Sequence, residues 1–172
     1  MLSKSRVIQL VVDKLPKVAN TVVPRVPRPV SKVVIEQTLN RFFKADLLAG
    51  DLDFMRAKTM QVTLTDLAFC FYVTGIDKSG TLALQVSHQA EQVDVAMAGN
   101  VDDLFLLTTQ QVDPDTLFFR RRLSLRGDTE LGLEIKNFLD TVELESRLPP
   151  SAYRASLDIA NVLIERQPHS SH

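Results

Sequence analysis

Between residues 60 and 97 apolar side chains recur at every second position, in runs too closely spaced for a helix to fit between each pair. This constrains the fold more than any other feature of the chain. Met60, Val62 and Leu64 alternate with Gln61, Thr63 and Thr65, the pattern of a strand with one dry and one wet face. The run from Phe69 to Val73 sends Phe69, Phe71 and Val73 one way and Cys70 and Tyr72 the other. Asp77, Lys78, Ser79 and Gly80 read as a turn, with Leu82, Leu84 and Val86 alternating with Ala83 and Gln85 on the returning strand of a hairpin. Val93, Val95 and Met97 continue the period. A fifth strand holds Leu123 and Leu125, alternating with Arg122, Ser124 and Arg126 and halted by Gly127. Parallel neighbours need a crossover of about a dozen residues or more, so the sheet is predicted to be mainly antiparallel.

Elsewhere the period lengthens to 3.6. Ser31 is predicted to cap a helix over about 32–48, with Ile35, Leu39, Phe42, Phe43 and Leu47 on its apolar face and Gly50 ending it. Asn100, with Asp103 three residues on, predicts a capped helix bearing Leu104, Phe105, Leu107 and Thr108. Pro114 opens a short helical turn containing Leu117, Phe118 and Phe119. Asp128 is the N-cap of the most regular helix, where Leu131, Ile135, Phe138, Leu139 and Val142 share a face. After Pro149 and Pro150, Ser151 is predicted to cap a last helix carrying Tyr153, Leu157, Ala160 and Ile164. The fold class is therefore α+β, a five-stranded, mainly antiparallel sheet covered by helices.

Charge is divided unevenly along the chain. Residues 1–32 hold seven cations against Asp13 alone, a surplus of +6, so a chain of net charge −1 carries −7 in its remainder. The same segment is rich in valine and proline, and Ile8, Val11, Val12 and Leu15 follow the spacing of a short amphipathic helix that Pro16 ends. From Pro24 to Pro29 alternate prolines predict an extended crossing. Three units follow: a basic arm over 1–30, a folded domain over 31–166 and a flexible tail over 167–172. The arm lacks aromatic side chains that could stack on bases, and the rest of the chain is acidic, so nucleic acid is not an expected partner. Docking on its own domain and lying on an anionic membrane both fit the pattern. On the second reading Lys4, Arg6, Ile8, Val11, Val12, Lys14, Leu15, Arg25 and Arg28 touch the membrane.

With 45% apolar residues the chain is no disordered tail, and no apolar run approaches the ~20 residues that span a bilayer. A single cysteine and the lack of an export-signal pattern point to the reducing cytoplasm. No catalytic constellation can be assembled. His169 and His172 fall in the tail, which leaves His88 alone at a strand end. Cys70 sits in the greasiest strand, where burial would raise its thiol pKa. The six glycines are dispersed, Asp113 and Asp115 flank Pro114 in a turn-and-cap role, and no metal-ligand spacing occurs. No catalytic residue, metal or cofactor is therefore predicted. What remains is an excess of apolar faces, which either close on one another as an ordinary core or stand apart around a ligand.

Residues 113–145, DPDTLFFRRRLSLRGDTELGLEIKNFLDTVELE, break this symmetry of readings. A helix near 100–109, an Asp-Pro turn, a short alternating strand and a Gly-Asp pair opening an amphipathic helix resemble the sterol carrier protein type 2 family of lipid-binding domains. Within that family, Pro114 to Phe119, the Arg121–Arg122 pair and Gly127 to Leu133 resemble the bacterial accessory factors of oxygen-independent ubiquinone biosynthesis. The resemblance implies a hydrophobic lipid tunnel between sheet and helices, and a bound isoprenoid quinone precursor or phospholipid. It further implies a non-catalytic role, partners among the oxygen-independent ubiquinone hydroxylation proteins, and peripheral attachment to the membrane; a homodimer is left open. A protein-interaction scaffold without a stored ligand is the competing expectation. The candidate lining residues, taken from periodicity, are Phe69, Phe71, Leu82, Leu84, Val95, Met97, Phe105, Phe118, Phe119, Leu131, Ile135 and Phe138. Arg120, Arg121, Arg122 and Arg126 stand beside the fifth strand, where they would meet a lipid headgroup, an acidic partner or solvent.

Overall fold

A computed structural model describes residues 26–166. Helix α1 (Arg28–Phe42) and short helix α2 (Lys44–Ala49) lead through a 3₁₀ turn at Asp53–Met55 into strands β1 (Thr59–Leu64), β2 (Phe69–Lys78), β3 (Thr81–Ser87) and β4 (Val95–Gly99). Helices α3 (Val101–Thr108) and α4 (Pro114–Phe119), strand β5 (Leu123–Gly127) and helices α5 (Thr129–Thr141) and α6 (Pro150–Arg166) follow within the described residues. The sheet runs in the order β3-β2-β1-β4-β5. Its apolar side chains, among them Val62, Phe71, Val73, Leu84, Val86, Val95, Met97 and Leu123, join Leu131, Ile135, Phe138 and Val142 in one core.

The predicted hairpin is present, and three of the four strand pairings are antiparallel; β1 and β4 are parallel. The exception needs no crossover helix. The β2–β3 hairpin overshoots β1: Gly75 still exchanges hydrogen bonds with Ala57 and Lys58 just before β1, but Ile76 to Lys78 pair only with β3, so β3 ends at Ser87, opposite Tyr72 and near the level at which β4 begins. The link through residues 88–94 therefore has to move sideways by three strand spacings, roughly 14 Å, which seven residues span with ease. It passes beside the polar sheet face, where Gln89 to Gln92 share a hollow with Thr59, Thr74 and Gln85.

Helix α1 closes the free edge of β3. The Asn40 carboxamide accepts from Leu84 N (3.0 Å) and donates to Leu84 O (2.6 Å), while Glu36 Oε2 accepts from Val86 N (2.9 Å). Residues four apart on a helix advance about 6 Å, close to the two-residue repeat of a strand, so Glu36 and Asn40 reach alternate strand positions. At the end of β3 the His88 ring meets Ser31 Oγ (2.9 Å) and the Arg28 carbonyl (3.0 Å). The β3 edge is thus paired by side chains instead of being left as a template for association.

In the first helical region two boundaries differ from prediction. Pro27, not Ser31, holds the N-cap position, and Pro29 lies within the first turn, where a missing N–H costs nothing. Of the predicted extended crossing from Pro24 to Pro29, residues 24 and 25 lie outside the described residues and Arg28 and Pro29 are helical; Ser31 Oγ donates to the Arg28 carbonyl inside the helix. The single helix predicted over 32–48 is broken at Phe43. There Arg147 Nη1 donates to the Phe42 carbonyl (3.0 Å), the acceptor a continuous helix would offer to Asp46 N–H. The same guanidinium binds Asp46 through two nitrogens (2.5 and 2.8 Å) and lies over the Phe42 and Phe43 rings at 5.0 and 5.5 Å. A side chain inserted into the helical ladder is a recognised cause of a kink.

Three predicted caps are observed: the side chains of Asn100, Asp113 and Asp128 accept from Asp103 N, Thr116 N and Leu131 N. Cys70 is half-buried on the polar face beside Thr63 and Tyr72, and is not the core hydrophobe its strand suggested. Helix α6 starts at Pro150, so Ser151 stands in its first turn; it packs on α3 through Ala160 and Leu163, leaving the predicted Ile164 partly exposed.

Removing Arg147 would strand a buried carboxylate. Arg147→Ala should lower stability by about 3–5 kcal/mol, whereas Asp46→Leu combined with Arg147→Met should recover most of that loss. Urea unfolding midpoints of the two variants against the parent check this.

Candidate functional site

The sheet's other edge, β5, is treated differently. Among the described residues only β4 pairs with it, and α4 and α5 pack beside it on the apolar face. Between them runs an open groove of about 290 Å³, lined by Val95, Phe118, Leu125, Gly132 and Leu133 with Arg126 and Lys136 among the polar margins. Its lining is chiefly apolar, as a small-molecule site requires, and its volume is at the low end of such sites. Gly132 matters to its depth. A Cβ placed there would meet only the Leu125 Cβ at 4.0 Å, so no clash demands glycine, and a larger side chain would enter the groove. Gly75 is the opposite case: a Cβ there would lie 2.0 Å from the Met55 carbonyl oxygen.

One end of the groove is tied by charge. Asp128 accepts from the first-turn N–H groups of Glu130 (3.0 Å) and Leu131 (3.1 Å), and Lys58 Nζ lies 3.5 Å from both Asp94 Oδ1 and Asp128 Oδ2. The Leu131 N–H and the Lys58 ammonium hold the Asp128 carboxyl below its ordinary pKa, and the Asp94 carboxylate, with Asp128 adding, raises that of Lys58. Beyond this knot a second, more polar hollow of about 210 Å³ is lined by Phe54, Leu131, Glu130 and Glu134.

Along the groove's wall, α4 ends in a tight reversal. Arg121 N donates to the Phe118 carbonyl and Arg122 N to the Leu117 carbonyl, with Arg121 at φ +56°. This is the paired-hydrogen-bond helix stop that usually takes glycine at the left-handed position. Arg122 turns inward and pairs with fully buried Asp103 in the first turn of α3, its Nε donating at 3.0 Å and its Nη2 in close contact. Phe119, by contrast, points out and is 87% exposed. Because β5 begins at Leu123, Arg120 to Arg122 belong to this reversal and do not alternate across a strand.

The twelve candidate lining residues separate accordingly. Phe71, Leu82, Leu84, Val95, Met97, Leu131, Ile135 and Phe138 are buried in the core, and Phe69 and Phe118 pack half-buried against it. Phe105 joins a smaller cluster with Leu106, Ala160 and Leu163. Phe119 faces no interior at all, a correction to its expected inward position. Of the twelve, Val95 and Phe118 line the groove and Leu131 the adjoining hollow. Leu125, Gly132 and Leu133 were missed as lining residues. The available signal was Leu133, an apolar residue off the buried stripe of α5 and 54% exposed. Of the predicted membrane contacts, Arg28 is exposed at the start of α1, and Lys4, Arg6, Ile8, Val11, Val12, Lys14, Leu15 and Arg25 lie outside the described residues. Among the described residues no cluster of three or more His, Cys, Asp or Glu is placed to hold a metal, and no helix is long and apolar enough to cross a membrane.

Residues 35–140 match the SCP-2 sterol transfer family. The chain belongs to this family. This SCP-2 member is 34% identical over 154 residues to the ubiquinone biosynthesis accessory factor UbiT of Escherichia coli strain K12, covering 90% of this chain and 82% of the relative. The protein of the same name from Escherichia coli O157:H7 matches to the same extent. Among solved structures, "UbiJ-SCP2 Ubiquinone synthesis protein" superposes with a TM-score of 0.54 over 68% of this chain and 94% of its own, at 18% identity. That likeness is one of fold, and it agrees with the α+β sheet architecture predicted above.

Two outcomes follow from the groove. Gly132→Ala should raise stability by roughly 0.5–1 kcal/mol, since helical glycine costs about that much and the added methyl meets only ordinary contact; thermal unfolding checks it. Because the Asp128 carboxyl is held below its unfolded pKa, its contribution is present above the ordinary carboxylate range and is lost as pH falls through the lowered value. The stability gap between the parent and Asp128→Asn should therefore be full near pH 6 and close on acidification, as melting temperatures across pH 2.5–6 would show.

Proposed function

We propose that this protein is a non-catalytic accessory factor of ubiquinone biosynthesis, in its oxygen-independent branch, that binds isoprenoid quinone intermediates or phospholipids and presents them at the cytoplasmic face of the membrane. The observation that carries this reading is the apolar groove beside β5, set in an SCP-2 fold whose relative bears the accessory-factor name. A polyprenyl chain gains about 0.8 kcal/mol per methylene removed from water, so it does not leave a bilayer unaided. A water-soluble hydroxylation system needs a protein that offers it an apolar path. Such a protein requires no reactive group, only apolar walls and a way in. The tunnel implied by the family resemblance would continue the groove inward, beneath α5, when lipid is bound. On this reading the partners are the hydroxylation proteins of the same pathway, and the basic residues up to Arg28 add attraction to anionic lipid.

The test is organic extraction of the purified full chain followed by mass spectrometry. Isoprenoid quinone intermediates or phospholipid should be recovered, and Gly132→Leu, which puts a side chain into the groove, should cut that load at least several-fold while its circular dichroism stays unchanged. A parent chain that carries no lipid yet still retains pathway proteins in a pull-down would overturn this reading in favour of a scaffold.

A further inference from the structure

Between Lys78 and Lys136 the chain has only four cations, all within seven residues: Arg120, Arg121, Arg122 and Arg126. Arg122 is engaged by Asp103. Arg120, Arg121 and Arg126 are exposed, and none of the three has an ion pair among the described residues. The nearby Asp115 is already held by Lys136 at 2.6 Å. In the midst of this surplus charge stands Phe119, the most exposed of the large hydrophobic residues described. The ring is held out by the backbone: neighbouring Phe118 is anchored against the core, and the helix ends at Phe119 itself, two residues before the left-handed position at Arg121.

We propose that this tip, Phe119 with Arg120, Arg121 and Arg126, is the element that seats the protein on an anionic bilayer, with the ring inserted among the headgroups and the guanidinium groups on lipid phosphates. The inference rests on the lipid-handling reading above and adds which surface makes the contact. Charge complementarity calls for an anionic surface, and the shape of the tip selects a bilayer over a protein partner. A lone projecting ring girdled by unpaired arginines fits a soft anionic surface, where aromatic side chains settle at headgroup level, better than it fits the broad, complementary face of a stable protein interface. The position has a consequence for the site. Phe118 lines the groove and Phe119 leaves from the same helical turn, so docking by Phe119 would place the groove mouth against the membrane.

The chain has no tryptophan, so Phe119→Trp makes a single reporter in the full-length protein. Its emission should shift to shorter wavelength when vesicles of phosphatidylglycerol and phosphatidylcholine are added, and be unmoved by phosphatidylcholine alone. Reversing both Arg120 and Arg121 to glutamate should reduce co-sedimentation with the anionic vesicles by at least tenfold, at about fivefold per cation removed. Phe119→Ser should also reduce it about tenfold. Co-sedimentation that leaves the reporter unshifted places the contact elsewhere, including residues 1–25, and overturns the proposal. So does failure to bind the vesicles, or a shift produced only by an added acidic protein. Lipid extracted from the same variants separates the two readings: unchanged load with lost vesicle binding supports the docking tip, whereas an empty parent chain removes the carrier reading on which it rests.

Discussion

A sheet with one apolar face must have that face roofed and its two edges managed, and most of this molecule follows from how those demands are met. The roof is α5, whose Leu131, Ile135, Phe138 and Val142 complete the core over the sheet. The β3 edge is sealed by α1, with Glu36 and Asn40 supplying the hydrogen bonds of a missing strand. At β5 no such seal exists among the described residues. That strand has five residues and ends in Gly127 at φ +117°, whose close approach to the Asp94 carbonyl admits no side chain. Shortness and the charge of Arg126 guard this edge against pairing with another chain. They also leave the space beside it open.

Distant segments are joined by two carboxylate–guanidinium pairs, Asp46 with Arg147 and Asp103 with Arg122. Each pays a desolvation cost that only good geometry offsets, and in both the guanidinium offers more than one donor to the same carboxylate. Their work is positional. Arg147 sets the break between α1 and α2 and so directs Leu47 into the core, and Arg122 fixes the reversal from which Phe119 emerges. Arg147 Nε has no hydrogen-bond partner among the described residues, which makes its geometry less complete than that of Arg122.

What could be read from the sequence was whatever is encoded locally. The alternation around Met60, Phe71, Leu84 and Leu125 located the strands, and the caps at Asn100, Asp113 and Asp128 fixed three helix starts to the residue, because a side chain three positions from its N–H carries its own geometry. Long-range determinants were not legible. Nothing near Phe43 announces a helix break, since the cause is an arginine about a hundred residues away. The parallel β1–β4 pair depends on a register offset of the β2–β3 hairpin, and period-two patterning gives facing without register. Phe118 and Phe119 look alike in sequence, and only the helix stop after them determines that one packs and the other projects. The same limit explains the site: periodicity identified walls that mostly meet one another, while the groove arises from Gly132 and Leu133, which the apolar stripe of α5 does not include.

The open edge and the projecting tip belong to one design. If α5 carried a large side chain at position 132, the sheet's apolar face would be roofed as far as β5 and the fold would gain stability there. Glycine instead leaves a channel beside the edge, floored by Val95 and Leu125, at a cost of stability typical of functional sites. The Lys58–Asp94–Asp128 knot holds the start of α5 in place at one end of that channel, so the helix is fixed where the groove begins and lightly packed along its wall. Local openings draw on such lightly packed places, and a guest with an apolar chain would widen the groove along this wall before it disturbed the edge sealed by α1. The stiff half of the sheet and the open half are thus set by the same asymmetry of its two edges.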